Sequence, residues 1–222
     1  LIGLVGSEMC IRDRDGIILD QIKASAAGQL PSGFDPSSLY PARQHPKALQ
    51  MTVFGMGDAL GQLGMSWKKV MDTISPDQIA VFSGAAIGQL DVFGFGGLMQ
   101  SRIKGSRASS KNLALGLVEM SADFINAYIL GSVGRSGHNV GACATFLYNL
   151  QMGKEAIESG SARVVIVGGA EAPITPEIVD GFFAMSALSD DKRMIELQAP
   201  THDDRSVGPG REGAGRRGGG TG

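Results

Sequence analysis

Cysteine and histidine are scarce in this sequence. Its 222 residues include two cysteines, Cys10 and Cys143, and three histidines. Two thiols in a chain of this length do not form a disulfide framework, so we expect a reducing, cytoplasmic environment. No cysteine or histidine pair has the spacing of metal ligands, and we therefore predict no metal site.

Long apolar runs and an excess of one charge are absent as well. No stretch approaches the roughly 20 apolar residues needed to span a bilayer, and the formal net charge is −2. We therefore expect no membrane span and no nucleic-acid partner. What the sequence does contain is a hydrophobic content of 43% in 222 residues, which is enough to form the core of a globular domain.

Both ends of the chain differ in composition from the middle. The run GSEMCIRDR at residues 6–14 resembles translated sequencing-adapter read-through, so we interpret residues 1–14 as a non-native leader; a frayed native terminus is the alternative. Eight of the last 15 residues are glycine, and such a segment cannot bury enough apolar surface to order itself. We predict that residues 201–222 are a frameshifted or disordered tail, with a native Gly/Arg-rich tail as the alternative. Residues 15–200 are then the folded domain.

Apolar patterning predicts alternating helices and strands in this domain. Apolar residues recur at spacings of three and four over residues 46–63 and 112–130, which indicates two amphipathic helices. The runs IAVFSG at residues 79–84 and VVIV at residues 164–167 are typical of short buried strands, and residues 145–159 form an amphipathic helical segment between them. Buried strands on either side of a helix predict a parallel sheet with right-handed crossovers.

Two polar stretches carry weaker signals. The glycine-rich residues 85–97 lack the Gly-Lys-Ser/Thr ending of a phosphate loop, so we interpret them as a plain loop. The basic residues 102–111 (RIKGSRASSK) are interpreted as a solvated loop, with contact to an acidic partner as the alternative.

Cys143 is the strongest candidate for chemistry. Small residues surround it (Gly141, Ala142 and Ala144), and they permit a sharp turn from a strand into the helix that follows. The sulfur then lies at a helix N-terminus, where the macrodipole and free N–H groups favour thiolate and can bind a developing oxyanion. A buried structural cysteine is the alternative on composition alone. We predict that Cys143 is a nucleophile whose backbone N–H forms part of an oxyanion hole.

None of the three histidines is a convincing base for this nucleophile. His138 precedes Cys143 by five residues, which places it about 16 Å away and on the opposite face if the chain between them is an extended strand. We therefore predict a structural role for His138. His45 lies in an irregular leader at residues 15–50, and His202 lies in the tail.

Four segments in collinear order resemble the β-ketoacyl-[acyl-carrier-protein] synthases. They are VFSGAAIG at residues 81–88, GACAT at residues 141–145, VIVGGAE at residues 165–171 and GFFAMSALS at residues 181–189. The last is similar to the Gly-Phe-x-x-Met-x-Ala-Leu-Ser segment of that family. The stretches LPSGFDPSSLY at residues 30–40 and HPKALQMTVFGMGDAL at residues 45–60 differ from the usual start of these enzymes and resemble a divergent branch that includes initiating synthases primed by acetyl-CoA.

The resemblance implies an α/β, thiolase-like fold with α-β-α-β-α layers. Such a fold consists of two similar βαβαβαββ halves, usually in a homodimer, and this chain would hold mostly the N-terminal half. The implied activity is that of an acyltransferase of fatty-acid or polyketide synthesis. Cys143 would accept an acyl group from a thioester and condense it with malonyl-[acyl-carrier-protein], with loss of CO₂.

The resemblance also implies what the chain needs and lacks. Acyl carrier protein is the implied partner, and the substrates carry phosphopantetheine on that protein or on CoA, so no separate cofactor is expected. The family's two histidines and lysine lie in its C-terminal half and have no matching position here. We therefore expect this chain alone to make no 3-oxoacyl product.

Two alternatives remain on the same fold. One is a non-catalytic binding or scaffold protein, which the retained Cys143 argues against. The other is a thiolase or chalcone-synthase-like relative, which GACAT and VGGAE argue against. The chain also departs from the family pattern, because GHNV at residues 137–140 is less strand-like than the family's approach to the cysteine, and EGAG at residues 212–215 lacks the family's apolar flanks.

Overall fold

A central strand, β1 (Ile79–Gly84), organises the fold. All six of its residues are buried in this computed structural model, which describes residues 32–38, 40–171 and 174–188. The strand pairs in parallel with β2 (Ser136–Gly137) on one edge and with β3 (Val164–Gly169) on the other. The two predicted strands and their parallel arrangement are therefore confirmed.

Helices lie along the chain between and around these strands. Those in the described residues are α1 (Lys47–Gln62), α2 (Trp67–Met71), α3 (Phe95–Gln100), α4 (Ser110–Gly116), α5 (Met120–Phe124), α6 (Thr145–Glu158) and α7 (Pro176–Ala184). The chain divides into two units, residues 35–175 and residues 1–34 with 176–222, and α7 belongs to the second unit. The predicted leader at residues 1–14 and the predicted tail at residues 201–222 lie outside the described residues.

The two faces of β1 contact different helices, because successive side chains of a strand point to opposite sides. Ile79 and Val81 pack in a cluster with Met56 of α1 and with Ala122 of α5. Ala80 and Phe82 pack on the other face with Ala156 of α6 and with Ala162. The sheet is thus covered on both sides, which explains why its central strand is continuously apolar.

The predicted helix over residues 46–63 is confirmed as α1, but the helix predicted over residues 112–130 is wrong. That segment forms α4, α5 and a π-helical turn, Ile125–Leu130, with a bend of 98° between residues 110–116 and 120–130. Gly116 ends α4 against the ring of Phe95, which a Cβ at that position would overlap. Leu117 then takes an extended conformation, with φ −62° and ψ 141°. Tertiary packing has overridden the local periodicity.

Across the described residues, no single helix is both long and apolar enough to cross a membrane. The two helical segments at residues 110–116 and 120–130, taken together across their bend, are long and apolar enough for a membrane by length and composition only.

Candidate active site

Cys143 lies in a 3₁₀ turn, Ala142–Ala144, that leads directly into α6. Its thiol is free and exposed. Ala142 has φ +48°, a left-handed conformation that residues other than glycine rarely adopt and that surrounding contacts must maintain. The Ala144 N–H donates to the Gly141 carbonyl at 2.9 Å, and the Gly141 N–H donates to Thr145 Oγ1 at 3.0 Å. These bonds hold the cysteine at the N-terminal end of α6, where the sequence placed it.

The approach to Cys143 is not the strand that the sequence predicted. Strand β2 contains only two residues and ends at Gly137, and residues 138–141, which belong to no helix or strand, lead from it to the 3₁₀ turn. Gly141 has φ −144° and ψ 34°, and a Cβ there would overlap the ring of Tyr148. The assumption of an extended chain between His138 and Cys143 is therefore wrong.

The predicted helix over residues 145–159 is confirmed as α6, and its buried face is small and polar. Its buried residues are Thr145, Asn149, Gly153 and Ala156. A Cβ on Gly153 would lie 2.9 Å from Val167 Cγ2, so this glycine allows α6 to approach β3 closely. Large apolar side chains lie on the exposed face, and these are Phe146, Leu147, Tyr148, Leu150 and Ile157.

His138 has the structural hydrogen bonds that its predicted role requires. Its Nε2 lies 3.1 Å from the Ala85 carbonyl oxygen, and its Nδ1 lies 3.2 Å from Asn149 Nδ2. The tautomer with its hydrogen on Nε2 satisfies both contacts, because the Asn149 amide then donates to Nδ1 and Nε2–H donates to the Ala85 carbonyl. The imidazole lies against Gly84, where an added Cβ would overlap it. His138 therefore links the end of β1 to α6.

Loops from all three strands meet at the carboxyl end of the sheet. Residues 85–87 follow β1, His138 follows β2, and Glu171 follows β3. The Glu171 carboxylate accepts hydrogen bonds from the N–H groups of Ala86 and Ile87, the second at 3.4 Å. This end of a parallel sheet is where α/β proteins bind their ligands, and Cys143 lies on the chain that leaves β2 there.

Sequence reasoning missed two polar residues of this region. The sequence does indicate the location of Glu171, because a carboxylate that closely follows a buried strand lies at the carboxyl end of the sheet. Asn149 has a weaker one, since it occurs four residues after Thr145 and so shares a helix face with it. Only the structure shows that this shared face is the buried one.

His45 belongs to an aromatic cluster. Its ring centroid lies 5.5 Å from that of Tyr40 and 5.2 Å from that of Phe124. Burial lowers the pKa of His45, and the positive charge of Lys111 lowers it further. Burial also raises the pKa of Tyr40 to about 12. Within the described residues, no group of three or more His, Cys, Asp or Glu side chains is arranged to hold a metal ion.

Folding stability should depend on the protonation of His45. Since the folded chain lowers the pKa of His45, the unfolded chain binds this proton more readily. The contribution of neutral His45 is fully present above its unfolded pKa of about 6.5 and is lost as the pH falls below that value. Between about pH 8 and about pH 5.5, the free energy of unfolding measured with urea should fall more in the wild type than in His45→Gln. An equal loss in both proteins would mean that His45 does not titrate with folding.

Comparison with known proteins identifies the family. The model of the β-ketoacyl synthase N-terminal domain matches residues 17–215. The chain belongs to the β-ketoacyl synthase family. It is 54% identical over 191 residues to the β-ketoacyl-[acyl-carrier-protein] synthase FabY of Pseudomonas aeruginosa, which covers 84% of this chain and 30% of FabY. It is 32% identical over 139 residues to 3-oxoacyl-[acyl-carrier-protein] synthase 2 of Staphylococcus aureus, covering 63% of this chain and 34% of that protein.

Solved structures agree with this assignment. The crystal structure of the ketosynthase FabY from Pseudomonas aeruginosa superposes with a TM-score of 0.75 at 56% identity, covering 79% of this chain and 28% of FabY. A β-ketoacyl synthase from Burkholderia phymatum matches with a TM-score of 0.54 at 19% identity, over 77% of this chain and 40% of that one, which supports the fold alone. The α/β, thiolase-like fold is confirmed. This ketoacyl synthase chain spans about a third of the length of the curated relatives that it matches.

Proposed function

We propose that Cys143 is the acyl-accepting nucleophile of a β-ketoacyl-[acyl-carrier-protein] synthase. The exposed thiol in a strained turn at the start of α6, in a chain of this family, is the observation that supports this role. The scaffold alternative is not favoured, because the relatives are condensing enzymes by name. The reaction would serve fatty-acid or polyketide synthesis in the cytoplasm.

The acyl transfer step follows from the chemistry of a thiolate. Cys143 Sγ attacks the carbonyl carbon of an acyl thioester, and the negative charge moves to the carbonyl oxygen. N–H groups at the N-terminal end of α6, the Cys143 N–H among them, stabilise that oxyanion. The carbon–sulfur bond to CoA or to the phosphopantetheine of acyl carrier protein then breaks. That thiolate leaves, and the acyl group remains on Cys143.

The condensation step completes the proposed reaction. Malonyl-[acyl-carrier-protein] loses CO₂, and the carbanion that remains attacks the acyl carbonyl on Cys143. A carbon–carbon bond forms, the Cys143 thiolate is released, and the product is a 3-oxoacyl group on the carrier protein. We propose acyl carrier protein as the partner and a homodimer as the assembly of the complete enzyme.

Incubation of the chain with acetyl-CoA should place one acetyl group on Cys143. Tandem mass spectrometry of the digested protein should locate the acetyl thioester on the peptide that contains this residue. The Cys10→Ala variant should be acetylated like the wild type, and the Cys143→Ala variant should lose the acetylated peptide. Acyl carrier protein loaded with an acetyl group serves as a second donor. If iodoacetamide labels Cys143 while neither thioester acylates it, the proposed function is wrong.

A further inference from the structure

Asn149 uses both ends of its amide to hold the segment that precedes Cys143. The residue is 0% exposed and lies on the inner face of α6. Its Oδ1 accepts the Asn139 N–H at 2.8 Å, and its Nδ2 lies 3.2 Å from His138 Nδ1. An amide buried to this degree is costly unless it is hydrogen-bonded. Here the partners that satisfy it both lie on the turn leading to the nucleophile.

These contacts fix the orientation of the Asn149 amide and the tautomer of His138. Because the Asn139 N–H is a donor, the atom that faces it is the Asn149 oxygen, and the amide nitrogen therefore faces His138. His138 Nδ1 accepts this bond, and its Nε2–H donates to the Ala85 carbonyl at 3.1 Å. A continuous chain of hydrogen bonds thus runs from α6 through His138 to the end of β1.

A second buried residue of α6 holds the other end of the same turn. Thr145 is four residues before Asn149, so both side chains point from one face of the helix. Thr145 Oγ1 accepts the Gly141 N–H at 3.0 Å. The left-handed Ala142, with φ +48°, follows directly. A strained residue persists only where its surroundings determine it, and Asn149 and Thr145 supply those constraints.

We propose that Asn149 is a positioning residue for Cys143. It acts through His138 and the Asn139 N–H, and it sets the direction in which the thiol is presented to an acyl thioester. The inference rests on the proposed function for the reaction, but the geometry of the thiol can be tested without it.

The Asn149→Asp variant separates this role from simple packing. A carboxylate of the same shape still accepts the Asn139 N–H, but it has no hydrogen to donate to His138 Nδ1. It would instead favour a doubly protonated imidazolium, which donates to Asp and to Ala85 together. At low pH both ring nitrogens can therefore donate, whereas at high pH the neutral ring has one N–H and must lose either the bond to the new carboxylate or the bond to Ala85. Glu171, whose carboxylate binds the loop after β1 at this end of the sheet, is present in both proteins and cancels in the comparison.

Single-turnover acetylation by acetyl-CoA and alkylation by iodoacetamide are the two measurements. At about pH 8 we expect Asn149→Asp to react about 10- to 100-fold more slowly than the wild type at saturating acetyl-CoA, with an unchanged half-saturating concentration. Its rate relative to the wild type should recover as the pH is lowered to about 6. The matched control is Gln151→Ala, which removes an exposed amide of α6 bonded to Glu155, and it should react like the wild type at both pH values.

Two results would overturn the proposal. One is a folded Asn149→Asp variant, checked by circular dichroism, that reacts with both reagents at wild-type rates at about pH 8. The other is loss of folded structure in that variant, because Asn149 would then be required for the fold and not for the direction of the thiol. Wild-type protein that resists acetyl-CoA would contradict the proposed function only, since the iodoacetamide rates would still decide the role of Asn149.

Discussion

Phe82→Ala should lower the free energy of unfolding by about 3–5 kcal/mol, the range for truncating a buried phenylalanine. Phe82 belongs to β1, is 1% exposed and packs on the face of the sheet that α6 covers. Its ring packs with Ala156, Met152 and Val165, and the Arg135 guanidinium lies 5.9 Å from its centroid. The neighbouring alanines cannot fill the cavity that the substitution leaves, so the lost contacts are not recovered.

Urea unfolding followed by circular dichroism measures this loss. Phe146→Ala is the matched control, because that ring is 51% exposed and should cost much less to truncate. If both variants lose the same free energy of unfolding, the packing of Phe82 does not stabilise the contact between the sheet and α6. The same experiment tests whether the stability of α6, and therefore of the turn that contains Cys143, depends on packing against this face of β1.

Gly84→Ala should also be strongly destabilising, at about 1–3 kcal/mol, because the added methyl group overlaps the His138 imidazole and overpacks the site. Gly84 ends β1 beside the residue that links this strand to α6. The neighbouring strand offers a matched control in Gly168, which pairs with Ser83. A Cβ there would lie 3.5 Å from Ser83 Oγ, which is an ordinary contact, so Gly168→Ala should be tolerated.

A double-mutant cycle assigns the cost of Gly84→Ala to His138. His138→Ala removes the ring and should itself be destabilising, since it leaves the Asn149 amide without its acceptor. In that background, Gly84→Ala should add little further loss, and the two effects should be coupled by about 1 kcal/mol or more. Additive effects would mean that the methyl group conflicts with something other than the imidazole.

Local sequence patterns predicted the helices and strands in which the apolar residues of the pattern are the ones that the fold buries. The apolar runs of β1 and β3, the spacing of α1 and the small residues around Cys143 predicted two strands, a helix and the location of the thiol. The resemblance of four short segments to the β-ketoacyl synthases predicted the family, and the match over residues 17–215 confirms it. These predictions succeeded because each depends on residues close together in the chain.

The errors have a common physical origin. The helix predicted over residues 112–130 breaks because Gly116 meets Phe95, a neighbour about twenty residues away in sequence. The sequence also left open which face of α6 is buried, and the structure buries Thr145, Asn149, Gly153 and Ala156 where the helix approaches β3. Periodicity reports which residues share a face, but it does not report which face an adjacent strand will cover.

For Cys143, the sequence by itself determined a nucleophile candidate in a turn of small residues at the start of a helix. Only the tertiary structure decided what holds that turn. His138 bonds to a carbonyl 53 residues earlier in the chain, and Glu171 bonds to an N–H group 85 residues earlier. Contacts of this length form only when the parallel strands bring their carboxyl ends together, so no local pattern records them.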